Sequence, residues 1–248
     1  MNGGQLDATT ANIIVITGEM DVLTNTPIYN DTTGDRGCQI DAWLTGGGAI
    51  EYHGYNLPAF ESSYSFNLNI TGTSNTFSGK WNVITGVLLA GGASSLGTND
   101  IAVGVNGALE TTYNINNPNG SLTLNGQMFL HQNDTFKSVT IAATPLSSGT
   151  YSFAQLSTAY PAQFPASWTM QSGSAVSTGS GSITVLTGPP APVTLHVQAS
   201  GGNLQLTWSQ GTLEESTNVT GPWTPNTNGS PYTVTPAGPL KFYRIHVQ

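Results

Sequence analysis

Residues 75–97 read NTFSGKWNVITGVLLAGGASSLG. Apolar residues come in short bursts, turn residues part the bursts, and Lys80 is the single charge. A ten-residue window with apolar spacing i, i+3, i+4, i+7, free of Gly and Pro, is found neither here nor elsewhere in the chain, so long helices are not expected. Two-residue alternation takes its place. It recurs in NIIVITG from Asn12, SYSFNLNI from Ser63 and DIAVGV from Asp100. SLTLNGQMFL from Ser121 and SVTIAA from Ser138 continue it. Each run is bounded by Gly, Asn, Ser or Asp, as strands are. An all-β protein is the expectation.

Composition agrees. Only 7% of the 248 residues are charged and 38% are hydrophobic, with Gly, Ser, Thr and Asn making up the difference. Recurrent Val, Ile and Thr, with 9 Tyr, 8 Phe and 5 Trp, argue for an ordered core rather than disorder. Five basic residues against thirteen acidic ones give a net charge of −8. That balance disfavours nucleic acid and anionic membranes, both of which call for Lys and Arg clusters. No apolar run approaches the ~18 residues of a membrane span. Residues 1–30 lack the basic start and apolar block of a signal peptide, and Met1 reads as an added start before a mature fragment. Cys38 is the lone cysteine and is expected to be a small buried apolar residue.

The bursts Val87–Leu89, Ile101–Val103, Leu109, Leu122–Leu124 and Val139–Ile141 would stack if the chain coiled every ~20 residues, as in a parallel solenoid. One rung buries one face, so rungs must stack to share an interior. Gly and Asn suit the corners because they tolerate positive φ. Asn75, Asn106 and Asn125 are the expected corner ladder. A β-sandwich would also produce short alternating strands.

Residues 70–110, ITGTSNTFSGKWNVITGVLLAGGASSLGTNDIAVGVNGALE, resemble the autotransporter-associated β-strand repeat. The likeness rests on Asn75 to Gly79, Gly86, Leu88, Ser95 to Gly97, Gly107 and Leu109. WLTGGGAIEYHG from Trp43 resembles the lead-in strands, and LSSGTYSFAQL and GSGSITVL the closing coil. The resemblance covers residues ~40–187. It implies a right-handed parallel β-helix on a secreted or surface-anchored bacterial protein, and it carries no catalytic motif.

Pro189, Pro190 and Pro192 mark a stiff linker over 188–192. It parts a β-helix domain (1–187) from a small C-terminal β domain, sandwich-like, over 193–248. Leu204, Leu206 and Trp208 alternate toward one face there. Phe242, Arg244 and His246 share a face of the last strand, and Arg244 is expected to pair with Glu214 or Glu215. The segment resembles a small domain common on secreted proteins of Verrucomicrobia and Planctomycetes, through its LQLTW, LEESTNVTGPW and FYR stretches.

For chemistry, acid/base work on a polysaccharide needs spaced carboxylates or a proton acceptor. Asp31, Asp35, Asp41, Glu51 and His53, with Arg36 and Glu61 nearby, are the candidates. The bland reading is a polar turn with solvated carboxylates. No calcium-loop, zinc-type histidine, serine-elbow or nucleotide-binding spacing occurs, so no metal or cofactor is expected. Aromatic rings can stack on sugars, which makes Trp43, Tyr52, Tyr55 and Trp168 candidate ligand-binding residues, with Tyr64 and Trp223 also considered. If IEYHGY is a strand, Tyr52 faces away from Glu51 and His53. The leading expectation is a non-enzymatic structural or adhesion protein, extracellular or at the cell surface. Its expected partners are other copies of itself or extracellular polysaccharide. The alternative is a polysaccharide-acting hydrolase or lyase.

Overall fold

The computed structural model describes residues 4–7, 14–30, 37–54, 67–73, 75–169, 176–238 and 240–247. The chain divides into two compact units, residues 1–189 and 190–248. The first unit is a parallel β-solenoid of about five turns. Its opening strands are β1 (Leu6–Asp7), β2 (Ile14–Asp21), β3 (Thr26–Asn30), β4 (Cys38–Thr45), β5 (Ile50–Gly54) and β6 (Asn67–Ile70). Longer strands follow: β7 (Trp81–Ala90), β8 (Ile101–Thr111), β9 (Asn116–Leu124), β10 (Gln127–Phe129) and β11 (Asn133–Ile141). The far end holds β12 (Thr144–Pro145), β13 (Gly149–Ser152), helix α1 (Phe153–Ala159), β14 (Ser167–Thr169), β15 (Val176–Thr178) and β16 (Ser182–Val185).

Two parallel walls carry the stacking. The first runs β1–β3–β5 and on through the start of β7, the start of β8, and the ends of β9 and β11. The second runs β2–β4–β6, then the ends of β7 and β8, then β10. Strands β7 and β8 each serve both walls, so the chain must bend within them. In β7 the bend falls at Gly86, whose φ of +80° is open to glycine and strained for most other residues.

Register shows why the sequence coils. Ile50, Trp81, Ile101, Leu122 and Val139 lie one above another on the first wall. Ile28, Tyr52, Val83, Val103, Leu124 and Ile141 form the next column along it. On the second wall the column is Cys38, Leu68, Leu88, Leu109 and Met128. Every one of these side chains is buried. Burying a large aliphatic side chain contributes roughly 1.5–3 kcal/mol, so each column is a long run of favourable terms. Two facing antiparallel layers, the sandwich alternative for this unit, are not what these residues build.

Asparagines bind one turn to the next at a third corner. Asn75 accepts from the Leu44 N–H at 2.8 Å and donates to the Ser95 carbonyl one turn on. Asn99 Nδ2 donates to the Phe77 carbonyl at 2.8 Å, and Asn117 Nδ2 donates to the Asn99 carbonyl. The ladder is therefore Asn75, Asn99 and Asn117. Asn75 was expected there. Asn106, beside the bend at Gly86 and Gly107, and Asn125, in the bend between β9 and β10, instead stand exposed at another corner. Among the described residues their side chains make no hydrogen bond to a neighbouring turn.

The far end closes differently. β12 folds back antiparallel on β11, and β13 runs antiparallel to β16. The LSSGTYSFAQL stretch, expected as a closing coil, yields β13 and then α1. A capping box starts the helix: Gln155 N donates to Ser152 Oγ and Ser152 N donates to Gln155 Oε1. No helix among the described residues is long and apolar enough to cross a membrane.

The second unit contains two three-stranded antiparallel sheets. One is β17 (His196–Ser200), β18 (Asn203–Thr207) and β21 (Tyr232–Val234). The other is β20 (Thr224–Pro225), β19 (Thr212–Ser216) and β22 (Phe242–His246). Among its described residues Leu206 and Leu213 are the buried apolar ones, and all five residues of β17 are exposed.

Candidate functional site: the outer faces of the walls

Asp31, Asp35, Arg36, Tyr55, Glu61 and Tyr64 lie outside the described residues. The remaining candidates fall on two different walls. Asp41 and Trp43 point outward from β4, on the second wall. Glu51 and His53 point outward from β5, on the first. The turn at residues 46–49 separates those strands, so Asp41 does not share a face with Glu51 and His53.

Pleating decides what each wall offers. Along β4, Cys38, Ile40, Ala42 and Leu44 are buried, which leaves Gln39, Asp41, Trp43 and Thr45 outside. Parallel pairing sets Thr17 beside Asp41, Glu19 beside Trp43 and Asp21 beside Thr45. Trp43 is 47% exposed. Thr45 donates to Asp21 at 3.1 Å and Thr71 donates to Asp41 at 3.1 Å, which fixes both carboxylates on the surface. The result is an open strip with one indole, three carboxylates and several threonine hydroxyls. Glu19 and Asp21 were not singled out from sequence, although the alternation in IVITGEMD puts them on one face.

On the first wall, Tyr29 pairs with His53 in register, and their rings stack at 4.6 Å with an interplanar angle of 20°. Glu51 lies two residues from His53 on the same outer face, roughly 7 Å along the strand.

Two aromatic candidates are corrected. Tyr52 is 1% exposed inside the solenoid, beside Asn30 Nδ2 at 3.5 Å, and burial pushes its phenol upward. Its ring offers no face to a ligand. Trp168, on β14, is 6% exposed and stacks on Phe129 at 5.3 Å, nearly parallel. With Val87 and Ala108 these two rings form a second small core outside the second wall. Trp168 Nε1 donates to Glu110 Oε1 at 3.4 Å, and Glu110 is fully buried under this cover. Sequence alternation alone makes Glu110 a solvent-facing residue, because nothing local announces that residues ~60 positions later cover it.

Cys38 is 1% exposed, and burial raises its thiol to about 11, so it is no nucleophile at neutral pH. Asp134 is 1% exposed with Oδ1 accepting from the Ile115 N–H at 2.7 Å. Its Oδ2 has no hydrogen-bond partner among the described residues. Burial raises this carboxyl to about 7, against the smaller lowering effect of the Ile115 bond. Among the described residues no group of three or more His, Cys, Asp and Glu is placed to hold a metal ion.

In the second unit Arg244 Nε bonds Glu214 Oε2 at 2.7 Å, and its guanidinium sits 4.4 Å from the centre of the Trp223 ring. Glu215 pairs with Lys241 at 3.1 Å. Of the two glutamates considered for Arg244, Glu214 is the partner.

Comparison with family models, with curated proteins and with solved structures gave no match for this chain.

Proposed function

We propose that the protein is a secreted or cell-surface bacterial scaffold whose solenoid adheres to extracellular polysaccharide. In this reading the solenoid is a right-handed passenger-type β-helix of the autotransporter-associated kind, and the small C-terminal unit is a sandwich-like accessory module. Right-handed winding is the general rule for parallel strands joined by crossovers. The observation that carries the function is Trp43: a half-exposed indole standing on a pleated wall, with threonine hydroxyls and carboxylates at fixed spacing around it. An aromatic face beside hydroxyls and acceptors suits a sugar ring, which has an apolar C–H face and polar edges.

A glycan array probed with the whole chain and with Trp43→Ala tests this. Binding to one or more polysaccharides, weakened roughly tenfold or more by the substitution, is expected. An array with no bound glycan overturns the reading.

A hydrolase or lyase is the second reading, favoured by Glu51 and His53 sharing one outer face. Its test is release of reducing ends or unsaturated products from a polysaccharide panel, abolished by Glu51→Gln or His53→Asn. Turnover lost in those variants replaces the scaffold with an enzyme.

A further inference from the structure

We infer a second, separate saccharide site in the groove at the asparagine corner, specific for a neutral sugar unit; this deepens the polysaccharide reading above. The groove has a volume of about 310 Å³ and crosses three successive turns of the solenoid. That is the small end of ligand pockets, which run roughly 300–1,000 Å³, and it fits a short saccharide unit better than a long ribbon of chain. Thr76 comes from the first turn, Ser94 and Thr98 from the second, and Tyr113, Asn114 and Asn116 from the third.

The frame beneath the groove is stiff. Asn75 and Asn99 tie its turns together through backbone carbonyls, and the Tyr113 hydroxyl accepts from the Leu96 N–H at 3.1 Å. These groups hold the walls apart and in register, so the site needs little reorganisation to receive a ligand. The rim, by contrast, has polar groups to spare. Among the described residues, the side chains of Thr76, Ser94, Thr98 and Asn116 are engaged by no hydrogen bond. Asn114 uses its Oδ1 on the Asn133 N–H at 3.0 Å and keeps its amide N–H groups.

Ligand class follows from the functional groups. Hydroxyls and primary amides offer both donors and acceptors, the pattern that vicinal sugar hydroxyls present in return. The half-buried Tyr113 ring supplies the apolar patch that a pyranose C–H face requires. Among the described residues no charged side chain lines the groove, and the chain carries a net charge of −8. A uronate or sulfated sugar would find no cation there and would face general repulsion.

The test uses amide-resolved NMR titration of the whole chain with cellotetraose, laminaritetraose, mannotetraose and tetragalacturonate. At least one neutral tetrasaccharide is expected to shift resonances of residues 76–78, 94–99 and 113–116. The Thr98→Val/Asn116→Ala double variant should weaken that binding at least tenfold with an unchanged melting temperature, because neither side chain supports the frame. Trp43→Ala should leave these shifts in place. Shifts confined to the β2–β4 strip and abolished by Trp43→Ala overturn the groove while sparing the adhesion reading. Absence of any shift with the neutral probes at millimolar concentration overturns the groove as well. Equal binding of tetragalacturonate in the groove overturns the neutral class.

Discussion

The two units solve the same problem with different means. In the solenoid, columns such as Cys38–Leu68–Leu88–Leu109–Met128 make one continuous interior, to which each new turn adds a rung. The 190–248 unit buries Leu206 and Leu213 and exposes the whole of β17. It leans on directional contacts instead: Arg244 with Glu214 and Trp223, and Lys241 with Glu215. The difference reflects size. A short segment cannot bury enough apolar surface for a thick core, whereas stacking makes every turn a lid for its neighbour. Packing should therefore dominate the energetics of the first unit, and polar contacts those of the second.

The largest effect expected is at Trp81. Its side chain is 1% exposed, packs edge-on against Phe77 at 5.2 Å and donates from Nε1 to the Leu96 carbonyl at 2.9 Å. Trp81→Ala should cost about 4–5 kcal/mol in urea unfolding followed on the solenoid and leave signals of the 190–248 unit unchanged. Loss of both units together would break the comparison.

Asp134 comes next, with the opposite sign. Its carboxyl titrates near 7 when folded and near 3.8 when exposed, so between those values the folded state holds a proton that the unfolded chain releases. Folding is thus penalised progressively as pH rises from about 4 to 7, fully above 7 and not at all below 4. Asp134→Asn, which retains the acceptor for Ile115, should stabilise the solenoid by about 2–4 kcal/mol at pH 8 and leave it unchanged at pH 3.5. Thermal melts at the two pH values check this, and equal effects at both would refute the assignment.

Asn99→Ala should cost about 1–3 kcal/mol, because it strands the buried Phe77 carbonyl that Nδ2 now serves, while the Leu96 carbonyl keeps its bond from Trp81 Nε1. Substituting the exposed Asn106 or Asn125 should change stability by less than about 0.5 kcal/mol. That contrast sharpens which asparagines form the ladder.

Smallest is Arg244→Ala. Half the Arg244 side chain is exposed, so solvent screening limits the pair, and about 1 kcal/mol is expected from the 190–248 unit alone. Part of the loss is the exposed cation–π contact with Trp223. Unfolding in high salt should shrink the difference between variant and parent.

The same contrast explains what could be read from residues alone. Local alternation revealed the all-β class and set Tyr52 on the face opposite Glu51 and His53, because pleating is a nearest-neighbour property. It did not say which face is inside, and Tyr52 was wrongly expected to meet a ligand. Short apolar bursts and glycines revealed the stacking. What stayed hidden depends on distant covering or on bends. Asn99 and Asn117 carry the ladder with Asn75, whereas Asn106 lies beside the Gly86 bend and Asn125 in the β9–β10 turn, and residue spacing alone does not say which corner an asparagine occupies. Trp168 looks like a surface ring until the strand bearing Phe129 is known to lie beneath it. Glu110 is hidden in the same way. The groove was illegible for a related reason: its rim comes from three turns, each an ordinary Asn- and Thr-rich bend by itself.

The central claim is that the two walls are parallel ladders with side chains in vertical register. Cross-strand NMR contacts between backbone amides and Hα atoms across β5, β7, β8 and β9 test it most directly. The account predicts parallel-type amide–Hα contacts joining Ile50, Trp81, Ile101 and Leu122 in that order. Hα–Hα contacts of antiparallel type among those strands would contradict it.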